Sequence, residues 1–175
     1  MPETTGDHGF WDFSLRLYSR PEVPPACLAL QDEGGADVNL LLFLLYLADR
    51  GRLLDEKQVI ALDDATRPWR EKVVKPIRGV RRLLKAEVGA FTPAATGAFR
   101  DDMKRVELAA EKLQQLTLEA LAPPASAGQA VDSRKRAAAT HLAHYAASCE
   151  PWPEDALHVL LDAWADDAAS RGTLD

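Results

Sequence analysis

Val38-Asn-Leu-Leu-Leu-Phe-Leu-Leu-Tyr-Leu-Ala48 is the longest apolar run in the chain. It stops far short of the roughly 20 residues that a membrane-spanning helix requires, so it reads as an element buried in protein. Asp37 before it suits an N-cap, where a short side chain accepts from the first free backbone N–H groups. Gly51 after it suits the left-handed residue that closes a helix. A helix that is apolar on every side must be covered on every side. The expectation is a central helix at about 37–50, with other helices wrapped around it.

Outward from this run almost every segment has helical periodicity, and none alternates like a strand. Phe10 to Tyr18 predicts a short helix with Phe10, Phe13 and Leu17 inward. Pro24 and Pro25 suit the first turn of a second helix, which Gly34-Gly35 should end near Glu33. Asp55 should cap a helix ending near Asp63-Asp64, and another should begin around Thr66. That second one has an apolar stripe of Trp69, Val73, Ile77, Val80, Leu83 and Leu84, and Pro76 should bend it. A long helix over about 95–121 should turn Phe99, Met103, Val106, Ala110, Leu113 and the 116–118 stretch inward. Residues 122–130, rich in Ala, Pro and Gly, read as a mobile linker. Helices over about 132–148 and 154–169 follow, separated by Pro151-Trp152-Pro153. The reading is all-α: one domain over residues 1–175, a bundle of seven or eight helices.

The chain has 175 residues, 47% of them apolar, and a net charge of -6, as expected of a soluble globular domain. Two cysteines, Cys27 and Cys149, cannot form a disulfide framework, and the N-terminal residues lack the pattern of a signal peptide. A cytoplasmic location is the expectation.

The charge is uneven. Between Arg67 and Lys85 eight basic residues face one acid, Glu71, so this segment carries +7 and the remainder -13. Helical spacing sets Arg67, Arg70, Arg78, Arg81 and Lys85 along one face, with Arg82 beside them. Such a face fits an acidic protein partner, the leading reading, because Arg is favoured for interface ion pairs. An anionic small ligand bearing phosphate or carboxylate is the alternative. Nucleic acid fits less well, given the acidity of the whole chain. The plain alternative is internal pairing, for instance with the acid-rich segment 150–175.

Motifs for catalysis or metal binding fail on inspection. His141 and His144 share a helix face but lack the third and fourth ligands a zinc site needs. The pairs Asp63-Asp64, Asp101-Asp102 and Asp166-Asp167 lack the further acids of a magnesium-diphosphate site and read as helix-end or solvent-face charges. No nucleophile elbow or phosphate loop is present. No cofactor and no catalytic residue are expected, and the leaning is towards a protein that is not an enzyme. Asp37 and Asn39, beside Gln31, flank the buried helix. Asp37 or Asn39 could meet Arg78, Arg81 or Arg82 in a small polar pocket, although capping by Asp37 is the simpler reading.

Three segments together carry a resemblance: Phe10-Trp-Asp-Phe-Ser-Leu15, then Gln31-Asp32 through Asp37-Val-Asn-Leu-Leu-Leu-Phe43, then Trp69-Arg70 through Pro76-Ile-Arg78 to Arg81-Arg-Leu-Leu-Lys85. They resemble a family of short, mainly proteobacterial conserved hypothetical proteins with no assigned activity. The resemblance spans about the first half of the chain and implies a bacterial, cytoplasmic helical protein. It brings no catalytic residue with it.

Overall fold

A computed structural model describes residues 9–124 and 133–172. Eight α-helical segments make up the described chain: α1 (Phe10–Tyr18), α2 (Val23–Asp32), α3 (Val38–Asp49), α4 (Glu56–Trp69), α5 (Lys75–Leu83), α6 (Pro93–Leu121), α7 (Arg134–Ala146) and α8 (Glu154–Gly172). The fold is an all-α bundle. An isolated extended bridge pairs Val88 with Phe91. No described helix is long and apolar enough to cross a membrane.

Helix α3 is the centre, as its composition requires. Every residue from Asn39 to Ala48 is buried. The Asp37 side chain caps it by accepting from the Asn39 N–H. Around it lie α7, α6, α1 and α2, while α2 also packs broadly on α8. Phe10 and Phe13 of α1 meet Phe43 and Tyr46 of α3 in an aromatic cluster with ring centroids 5.0–6.5 Å apart. Trp164 is buried among these helices and Trp152 is half-buried against them, so both belong to this chain's own core.

The break expected at Asp63–Thr66 does not occur. Helix α4 starts at the expected Asp55 capping box and runs through Pro68. A π-helical turn over Arg70–Val74 then joins it to α5. Pro68 and Pro76 flank that turn, and each withdraws a donor from the helical ladder, so the wider turn absorbs the irregularity and one continuous rod results. Counted with this rod as one, the bundle has seven members. The expected linker at 122–130 and the helix start at Asp132 fall largely outside the described residues.

A second correction concerns α6. Its buried residues are Glu107, Ala110, Gln114, Gln115 and Leu118, so of the expected apolar stripe only Ala110 and Leu118 are buried. Phe99, Val106, Leu113 and Leu116 face solvent. The helix has two usable faces, and the polar one is turned inward.

His141 is fully buried, not a surface group as its Ala-rich helix suggests. Its Nε2 accepts from the Leu54 N–H at 2.8 Å, and its Nδ1 therefore donates to the Leu44 carbonyl at 3.0 Å. The neutral ring staples α7 to the end of α3 and to the following loop. Burial lowers its pKa from the usual 6.5. A depressed folded pKa means that the unfolded chain binds the extra proton, so this stability is complete above the unfolded value and is lost as pH falls through it. We expect urea denaturation to show stability dropping from pH 7 to 5.5. His141→Gln should flatten that slope and cost about 1–3 kcal/mol at pH 7. The same slope in the variant would assign it to other groups.

Candidate functional site

The loop between α2 and α3 places the first residues of the site. Gly34 permits the close approach of Trp152: a Cβ there would lie 2.4 Å from the Trp152 Cδ1. Gly35 follows in the left-handed region, at φ +66°. This turn delivers Asp37, whose N–H donates to the Tyr145 hydroxyl at 2.6 Å. Tyr145 in turn packs edge-on against Trp152.

The Asp37 carboxylate sits among four elements. One oxygen caps α3, and the other accepts from Arg70 Nη1 at 2.9 Å and from Gln114 Nε2 at 2.5 Å. Arg70 Nη1 also donates to Asp63 at 2.8 Å. Burial opposes the charge on Arg70, but Asp37 and Asp63 more than offset it, and the guanidinium titrates above its ordinary value. Burial likewise raises Asp63, yet Arg67 and Arg70 outweigh it and hold the carboxyl below its ordinary value. Asn39 joins the network by donating to Gln114 and accepting from Gln115, and Ser14 donates to Gln115. Asp37 therefore both caps its helix and meets an arginine, but that arginine is Arg70 and not the expected Arg78, Arg81 or Arg82.

A second cluster lies two to three turns farther along the rod. Arg78 donates to Glu107, Gln31 and Glu111 at 2.5–2.7 Å. Arg81 pairs with Glu107, and Arg82 pairs with Asp32 at the surface. Glu107 is raised by burial, but Arg81 and Arg78 prevail and its pKa lies below the ordinary value. Glu111 behaves in the opposite way. Burial dominates there, and Arg78 does not bring the carboxyl back down to its usual range.

Between the two clusters is a cleft. Its inner chamber, about 180 Å³, is bounded by Trp11, Tyr18, Val38, Leu42 and Val74 on apolar sides and by Asp37, Asn39, Arg70, Arg78, Glu111 and Gln114 on polar ones. The outer chamber, about 460 Å³, is bounded by Leu28, Leu108, Arg78, Arg81, Arg82, Lys104 and Glu111. Arg78 and Glu111 belong to both chambers. Of the basic residues singled out in the sequence, Arg70, Arg78, Arg81 and Arg82 therefore line one cleft, together with Asp37 and Asn39. Arg67 lines neither chamber and pairs with Asp63 and Asp64. Lys85 lines neither and is exposed.

Internal pairing is thus the rule for the arginines, but the partners are Asp32, Asp37, Asp63, Glu107 and Glu111, not the 150–175 segment. Two of the doublet acids, expected at the surface, are buried and paired: Asp63 as above, and Asp167 with Arg16 at 3.0 Å. The residues that sequence reasoning missed are Glu107, Glu111, Gln114 and Gln115. Their spacing is a helical stripe in its own right, and charge or amide groups repeated at that period were the available signal. Cys27, fully buried, has its thiol pushed up to about 12 by burial and serves as an inert core residue. Among the described residues no three His, Cys, Asp or Glu side chains gather in a way that could hold a metal ion.

Residues 9–118 match the family model described as a protein of unknown function, DUF2390, and the chain belongs to that family. The match is longer than the resemblance visible by eye. It takes in α1 to α6 and every residue bounding the cleft, and leaves α7 and α8 outside. No curated protein and no solved structure matches the chain.

Removing Arg70 should leave the buried Asp37 carboxylate without a cation and Asp63 with Arg67 alone. Arg70→Met is expected to lower the stability in urea by about 3–5 kcal/mol. Lys72→Met, on the exposed side of the same turn, should change it by less than about 0.5 kcal/mol. Equal effects from the two would mean that the bridge is not a buried one.

Proposed function

We propose that this member of a family of unknown function binds a small anionic molecule, bearing a carboxylate or phosphate, in the cleft between α1–α3 and α5–α6. The observation that carries the reading is the convergence of Arg78, Arg81, Arg82 and Lys104 on one chamber that shares Arg78 and Glu111 with a second, lined by both polar and apolar groups. Lys104 enters no ion pair among the described residues, and Arg82 is held only by an exposed aspartate, so both can turn to a ligand at little cost. The apolar walls, Leu28 and Leu108 outside and Trp11 and Leu42 inside, suit the non-polar part of such a molecule.

Glu111 supplies the exchange. It accepts from Arg78 Nη2 at 2.6 Å, and burial favours its protonated form. An incoming anion takes its place on Arg78 while Glu111 takes up a proton. Binding then tightens as pH falls towards the Glu111 range.

An acidic protein docked on the 67–85 face is the less well supported reading. The guanidinium groups of Arg70, Arg78 and Arg81 are turned into internal pairs, which leaves Arg67, Arg82 and the lysines Lys72, Lys75 and Lys85 outward. A reducing, cytoplasmic setting fits two unpaired thiols.

Calorimetry and thermal unfolding against inorganic phosphate and a panel of carboxylates and phosphate monoesters test the proposal. A ligand at 100 times its Kd should stabilise the chain by about 2.7 kcal/mol, which is a rise in Tm of several degrees. Arg82→Gln with Lys104→Gln, both exposed, should weaken binding at least about tenfold, or ~1.4 kcal/mol, without loss of fold. Absence of any shift across the panel, or binding unchanged in the double variant, would refute the reading.

A further inference from the structure

The two chambers of the cleft share Tyr18, Gln31, Val38, Arg78, Leu108 and Glu111, and these residues form the neck between them. Three of the four polar members hold one another, since Arg78 donates to Gln31 and to Glu111. The fourth, the Tyr18 hydroxyl, makes no hydrogen bond among the described residues. Farther in, the amides and the Asp37 carboxylate satisfy one another, and Lys75 pairs with Glu71. The exception there is again on α1: the Trp11 indole N–H, two turns before Tyr18, has no acceptor among the described residues. Lys112 Nζ sits 4.9 Å from the centre of that ring, a contact that leaves the N–H unused.

Tyr18 is also covered at the unusual end. A surface tyrosine ordinarily buries its ring and leaves the hydroxyl in water. Tyr18 is 38% exposed as a residue, yet burial raises the pKa of its hydroxyl above the ordinary 10, so the polar tip is the desolvated part. A covered hydroxyl usually has a partner, and one without costs free energy that a hydrogen in its place would not. Phenylalanine would supply the same ring to the fold, so the oxygen has no structural use where it stands.

The two open groups are neutral donors on the α1 side of the cleft, while the cations line its α5 side. Cations answer a charged group, and a neutral donor answers a neutral oxygen. An indole N–H can only donate, and a tyrosine that keeps its proton donates as well. We infer that Tyr18 is a specificity-determining residue of the cleft: with the acid group of the ligand on the arginine side, the Tyr18 hydroxyl donates to a carbonyl or hydroxyl oxygen carried by the same molecule. The ligand class is then an oxygenated acid, and plain alkyl acids are discriminated against because they leave the hydroxyl unpaired. The inference rests on the anion-binding reading and adds which anions are chosen.

Calorimetry of the full chain on probes that differ by one neutral oxygen tests it: 2-oxopentanoate and 4-oxopentanoate against pentanoate, and 3-hydroxypropyl phosphate against propyl phosphate. In the wild type at least one oxygenated probe should bind about tenfold more tightly than its parent acid. Tyr18→Phe, which keeps the ring, should bring that ratio to within about twofold and leave the affinity for the parent acid and the Tm unchanged. Equal affinity within every pair, a ratio that survives Tyr18→Phe, or equal weakening of both members would overturn this inference and leave the anion-binding reading in place. A fall in Tm would show the hydroxyl engaged in the fold and would overturn it too. If no probe of either kind binds the wild type, both readings fall.

Discussion

The bundle depends on one bridge, from the Arg70 guanidinium to the carboxylates of Asp37 and Asp63. Asp37 caps the central helix, so its position fixes where α3 begins. It also accepts from Gln114 of α6, and its own N–H is held by Tyr145 of α7. One residue thereby joins α3, the rod, α6 and α7. Such a cation could not be left out, because each buried carboxylate without a partner would cost several kcal/mol. The π turn beginning at Arg70 is the local feature that sets this side chain against the end of α3.

That bridge decides how α6 lies. The helix carries amides and acids on one side and large apolar groups on another. Only the polar side can satisfy Asp37, Asn39, Arg78 and Arg81, and a buried polar group without a hydrogen bond costs more than an exposed leucine. The apolar stripe is therefore the one left outside. The cleft and the exposed apolar stripe are two results of the same choice of face.

This explains which parts of the fold were legible in the sequence. Helix α3 was read to within a residue or so at each end, because a run apolar on all sides has only one possible environment. Helices α1, α2 and α8 were legible through their prolines, glycines and aromatic spacing. The stripes of the rod and of α6 were recognised as helical but assigned to the core. Periodicity locates an apolar face without saying what covers it, and here the polar network claims the interior. The expected break at Asp63–Thr66 failed for a related reason: Asp63 looks like a helix end until Arg70, two turns on, neutralises it. Within the cleft, Asp37, Asn39 and the arginines were visible as a basic row beside polar residues. Their partners lie 26–77 positions away, a separation that no local pattern encodes.

A buried ionic layer is a weak way to stabilise a bundle. Apolar residues of similar volume in place of such groups often leave stability unchanged or raise it. The chain has the apolar residues for that arrangement: turning α6 by about a third of its circumference would bury Phe99, Val106 and Leu113 and expose the acids. Instead it keeps a cap carboxylate, two arginines and a half-buried acid pointing into a chamber with room for about six waters at ~30 Å³ each. Stability alone does not account for that layout. A chamber whose polar groups are prearranged on rigid helices, with a protonatable acid on its one shared arginine, is the layout on which the proposed binding of an anion rests.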